Sequence, residues 1–114
     1  MNAQSPQGFS YQGVARDTAG NILTSQPIGL KISILSGSTS GPVEYSETHT
    51  ATSDPYGVFE LTIGNGTVVS GTFSGINWGS TIHFQKVEMD ASGGTNYVFM
   101  GTSQLMSVPY ALFA

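Results

Sequence analysis

Apolar and polar residues alternate along most of the chain, and helical spacing is nearly absent. The clearest stretch is 28–35, where Ile28, Leu30, Ile32 and Ile34 fall on one face and Gly29, Lys31 and Ser33 on the other. Residues 8–16 put Phe9 and Tyr11 on a common face. Over 43–52, Val43, Tyr45, Glu47, His49 and Ala51 share one side, opposite Glu44, Ser46, Thr48, Thr50 and Thr52. Residues 58–63 point Phe59, Leu61 and Ile63 inward. In 81–90 the apolar phase shifts from Ile82 and Phe84 to Val87 and Met89, and a bulge near Gln85 and Lys86 reconciles the two. Residues 96–100 read as a further strand. The apolar stretch 102–113 holds Pro109, which places it at a sheet edge or ends the strand before it. Residues 67–79 read as irregular, anchored by Val68, Val69, Phe73, Ile76 and Trp78.

Turn residues punctuate these strands at 17–21, 36–42, 54–57, 64–66 and 91–95. Asp54-Pro55-Tyr56-Gly57 has the order of a type I turn, with proline fixing φ at the second position and glycine at the fourth. Seven or eight short strands, with turns about every 8–12 residues, predict an all-β, antiparallel sandwich. An open sheet would leave the apolar face of every strand wet, so two packed sheets follow. One domain is expected over 1–114. Residues 1–7 are expected as a flexible tail, and 103–114 as an apolar C-terminal segment leading to a downstream region.

Composition narrows the function classes. Only 9% of residues are charged, with three Lys and Arg against seven Asp and Glu. Three cations cannot neutralise a phosphate backbone, so nucleic acid is excluded as a partner. The chain has no Cys, which removes disulfides, thiolate nucleophiles and Cys-ligated zinc. No run of 18 apolar residues occurs, so no membrane-inserting helix is expected. The first residues lack a basic and an apolar signal region, and Met1 reads as an added start after removal of a leader.

Candidate chemistry is thin. His49 and His83 are the only histidines, and a metal site needs three or four converging ligands. Glu47 and His49 share a strand face, and an enzyme built on them would need both in a concave pocket with perturbed pKa. No nucleophile elbow occurs. Asp17, Asp54 and Asp90 each open a turn, where local capping explains them better than calcium. No catalytic residue, cofactor or metal is expected. Trp78, with Tyr56 or Tyr97, is the candidate for stacking on a carbohydrate, against the plainer reading of Trp78 as core. Asn65-Gly66-Thr67 is a glycosylation sequon, and Thr18 lies in an O-glycosylation-like triplet. Val108, Pro109, Tyr110, Leu112 and Phe113 form an uncharged apolar segment and are the interface candidates.

Two end motifs carry a family likeness. Phe9-Ser10-Tyr11-Gln12-Gly13-Val14-Ala15-Arg16-Asp17, followed by Gly20-Asn21, resembles the opening of a module in secreted bacterial tail-fibre-like or trimeric adhesive fibre proteins. Gly101-Thr102-Ser103-Gln104-Leu105-Met106-Ser107-Val108-Pro109-Tyr110-Ala111-Leu112 resembles its close. The stretches 57–64 and 76–79 also fit, and Ser10 stands where the pattern more often has Asn. The resemblance implies a secreted or cell-surface, non-catalytic structural or adhesion module. It would associate with itself, as a homotrimer in the related fibres, or with neighbouring domains. The middle section is also similar, more weakly, to transthyretin-like and carboxypeptidase-regulatory sandwiches.

Overall fold

A computed structural model describes residues 8–105. Its strands are β1 (Phe9–Val14), β2 (Pro27–Ser36), β3 (Val43–Thr52), β4 (Val58–Ile63), β5 (Thr67–Ser70), β6 (His83–Asp90) and β7 (Val98–Leu105). A single 3-10 turn, Phe73–Gly75, stands between β5 and β6. Five strands pair in the order β5-β3-β2-β6-β7, and β1 pairs with β4 in a second, smaller sheet. All pairings are antiparallel. The two sheets face each other across one core, which is the expected β-sandwich.

β2 is central in the large sheet and behaves as its alternation demands. Ile28, Leu30, Ile32 and Ile34 are fully buried. Each contributes about 2–3 kcal/mol of transfer free energy. Across the gap, β4 presents Phe59, Leu61 and Ile63, all buried, while Glu60 and Thr62 face outward. Phe73, Ile76 and Trp78 fold in behind β5 and close one end of the core. There Phe73 meets Tyr45 edge-on at 5.4 Å and Trp78 at 5.9 Å.

The 54–57 turn forms as its sequence dictates. Gly57 N–H donates to Asp54 O at 2.9 Å, and the Asp54 carboxylate accepts from the Tyr56 and Val58 amides. Gly57 has φ +82°, and a Cβ there would overlap the Ile22 side chain. Both the conformation and the space require glycine.

Several expectations need correction. The β2–β6 register runs unbroken past Gln85 and Lys86, so no bulge sits there. The inward phase of β6 is His83, Gln85, Val87 and Met89, whereas Ile82 is exposed. A register shift does occur between Val87 and Glu88, but toward β7. Residues 67–70, read as irregular, are β5. Val43 is exposed although its phase matches buried Tyr45 and Glu47. Residues 98–105 form one strand, so 103–105 belong to β7 and not to a separate terminal segment.

Candidate functional site

Buried polar residues come together with their partners in two places. On β3, Glu47 is fully buried. Its carboxylate accepts from the Tyr45 hydroxyl and from His49 Nε2. The Gly64 amide adds bonds of 2.9 and 3.1 Å to the two carboxylate oxygens. Burial alone pushes the Glu47 carboxyl up, but the bonds from His49, Tyr45 and Gly64 outweigh it and hold the group below 4.5. Burial and the adjacent carboxylate together push the Tyr45 hydroxyl well above its ordinary value. This charge fastens the β4–β5 corner to β3.

The second cluster was not anticipated. His83 on β6 is fully buried, and its Nε2 donates to Glu44 Oε1 at 2.6 Å. The other Glu44 oxygen accepts from the Asn77 amide at 3.2 Å. Trp78 lies against the imidazole with ring centres 5.1 Å apart. Glu44 thereby ties the 73–80 segment to two strands of the large sheet. The only sequence clue was the appearance of His83 in the inward phase of β6, which the neighbouring Ile82 and Phe84 obscured.

Both clusters are closed in by protein groups. Both oxygens of Glu47 are engaged by protein donors and carry no exposed edge. Open hollows of about 570, 800 and 280 Å³ are lined by neither Glu47 nor His83. Among the described residues, no group of three or more His, Asp or Glu side chains is arranged to hold a metal ion.

The stacking candidates separate. Trp78 is only 4% exposed and is covered by Phe9, Phe73 and His83. It offers no ring face to a sugar, so the carbohydrate platform built around it is withdrawn. Tyr56 is exposed at the tip of the 54–57 turn, and Tyr97 is half-buried before β7. Asn65 and Thr18 are both exposed in turns. The interface candidates Val108, Pro109, Tyr110, Leu112 and Phe113 lie outside the described residues.

What the molecule does present is a pair of bare edges. β5 and β7 terminate the large sheet, and neither has a second partner strand among the described residues. Neither TVVS nor VFMGTSQL contains a charged residue. Val68 and Val69 on β5 are 55% and 53% exposed, and Phe99 on β7 is 59% exposed. Beside Phe99, the 800 Å³ hollow runs across the outer face of the sheet to exposed Val43, with buried Leu35 in its lining. Sheet edges are ordinarily blunted with lysine, proline or a cover; these two carry exposed valine and phenylalanine instead.

Residues 10–104 match a family described as a domain of unknown function, DUF8740. The chain belongs to that family. The DUF8740 match begins inside β1 and ends inside β7, so it takes in both sheets and both bare edges. No curated protein and no solved structure matches the chain.

Proposed function

We propose that this DUF8740 domain is a non-catalytic structural or adhesion module of a secreted bacterial fibre protein, working through contacts with sister subunits or neighbouring domains. The observation that carries the reading is the pair of uncharged edges, β5 and β7, with Val68, Val69 and Phe99 exposed on them. An edge strand supplies unpaired N–H and C=O groups, so another strand can extend the sheet by main-chain bonding. Antiparallel strands bonded side by side give a unit suited to bearing load. The engaged, buried state of Glu47 supports the absence of an acid–base role. The two end motifs support the secreted fibre setting, and a homotrimer is the assembly they imply.

Multi-angle light scattering on the 114-residue chain tests the reading. The wild-type chain is expected to gain mass with concentration, and Val69→Lys or Phe99→Lys to stay monomeric at the same concentrations. A wild-type monomer at every concentration, with identical behaviour of both variants, would refute the edge mechanism.

A further inference from the structure

Asn65 and Gly66 lie in the corner between β4 and β5 and form the only Asn-Gly step in the chain. Asn65 is exposed, and its N–H donates to Thr62 O at 3.2 Å, which holds the turn. The Gly66 N–H donates to no backbone carbonyl among the described residues. Glycine is imposed at this place by the strand behind it. A Cβ on Gly66 would stand 2.6 Å from Thr48 O and 2.7 Å from His49 Nε2. A ring can turn aside, but the carbonyl cannot, because β3 is paired on both sides. The packing of β3 therefore keeps after Asn65 the one residue type with no side chain to shield its own nitrogen. The other described asparagines are placed differently. Asn21, Asn77 and Asn96 precede Ile22, Trp78 and Tyr97, whose side chains crowd the following nitrogen. The Asn21 side-chain amide also donates to Asp17 Oδ2 at 3.2 Å, and the Trp78 N–H donates to Ile76 O at 3.1 Å.

We propose that Asn65 is a site of self-modification, losing its side-chain amide through a ring closed by the Gly66 nitrogen. The chemistry needs only water. The Gly66 nitrogen gives its proton to solvent and bonds to Asn65 Cγ. The Cγ–Nδ2 bond breaks, and the amide leaves as ammonia after taking a proton back from solvent. The product is a succinimide, which water then opens. Addition of water at Cγ breaks the new N–Cγ bond and leaves aspartate. Addition at the main-chain carbonyl carbon breaks its bond to the Gly66 nitrogen instead and leaves isoaspartate, with the main chain running through Cγ. One water is consumed, one ammonia is released, and nothing is oxidised or reduced. Either product adds a negative charge to a chain whose formal net charge is −4. The charge arises beside Gly64, whose amide holds the buried Glu47 carboxylate. Isoaspartate also adds a methylene to the backbone just ahead of Thr67, which pairs with Thr48. The modification thus falls where β5 is fastened to its sheet, and it does not depend on the edge contacts proposed above.

Peptide mass spectrometry on the purified 114-residue chain, aged in warm neutral buffer, tests the proposal. Conversion at residue 65 is expected to run at least about tenfold faster than at Asn21, Asn77 or Asn96, with both aspartate and isoaspartate among the products. The same site in the urea-unfolded chain is expected to convert less than about tenfold faster than in the folded chain, because the exposed corner reacts without unfolding. Asn65→Gln keeps an amide but enlarges the ring that has to close. It is expected to stay free of the acidic form that the wild-type chain accumulates on ion exchange. Conversion at residue 65 no faster than at the other three asparagines overturns the proposal. So does a tenfold or greater acceleration in urea, which would mean that the turn locks Asn65 away from Gly66. Aspartate without isoaspartate would replace the ring with direct hydrolysis, and equal growth of acidic forms in Asn65→Gln would move the reaction to another residue; either result overturns it as well.

Discussion

Glu47 shows how a residue drawn as ordinary strand alternation becomes a structural charge. Its neighbours Tyr45 and His49 are two residues away on either side, so the strand period alone puts all three on one face. That part was legible. The Gly64 amide was not, because it arrives from the far end of β4 only after the sheets pack. Replacing Glu47 with Gln keeps the volume but cannot satisfy three donors with a neutral amide. We expect Glu47→Gln to lose about 2–3 kcal/mol in urea unfolding, with partly solvated His49 limiting the damage. The pH dependence follows from the depressed folded-state carboxyl. Its stabilising contribution is complete above the ordinary value of 4.5 and is lost as pH falls through the lower folded value. Wild-type stability should therefore drop below about pH 4.5, and the drop should be shallower in Glu47→Gln. It will not vanish, because Asp90 and Asp17 are also held below 3.8, by bonds from Ser92 and from Asn21 respectively. Gly57 offers a second test at this scale. Gly57→Ala combines positive φ with overlap on Ile22, and should cost about 1–3 kcal/mol in the same assay.

Among the elements, β2 and β4 could be read residue by residue because their apolar phase is unbroken. β6 could not. Its inward positions include the polar His83 and Gln85, while Ile82 and Phe84 occupy the other phase. The sequence pattern asks for a bulge, but Glu44 and Trp78 supply a hydrogen-bond partner and a packing surface for the buried His83. β5 was missed for the opposite reason. Its four residues are all exposed, so no alternation marks them, and pairing with β3 alone makes them a strand. The same exposure makes β5 the place where added charge should act. Val69→Lys is expected to abolish association without lowering the unfolding midpoint, since Val69 contributes little to the core. An equal loss of stability and association would mean that β5 is merely part of the fold.

The whole molecule is an asymmetric sandwich, two strands over five, with apolar chain exposed at both ends of the larger layer. Sandwich architecture was legible from strand number and turn spacing. The unequal split between the sheets was not, because alternation says which face of a strand is buried and nothing about which strand lies beside it. Trp78 illustrates the same gap: its glycine-flanked sequence allowed an exposed ring, and packing against Phe9, Phe73 and His83 removed it. The account as a whole rests on sheet extension through edges that lack charge. Hydrogen exchange at the outward amides of β5 and β7, measured across a concentration series of the wild-type chain, tests this most directly. The account predicts that these amides become protected as concentration rises while turn amides such as Tyr56 do not change. Exchange at one unaltered rate along both edges, from the most dilute sample to the most concentrated, would contradict it.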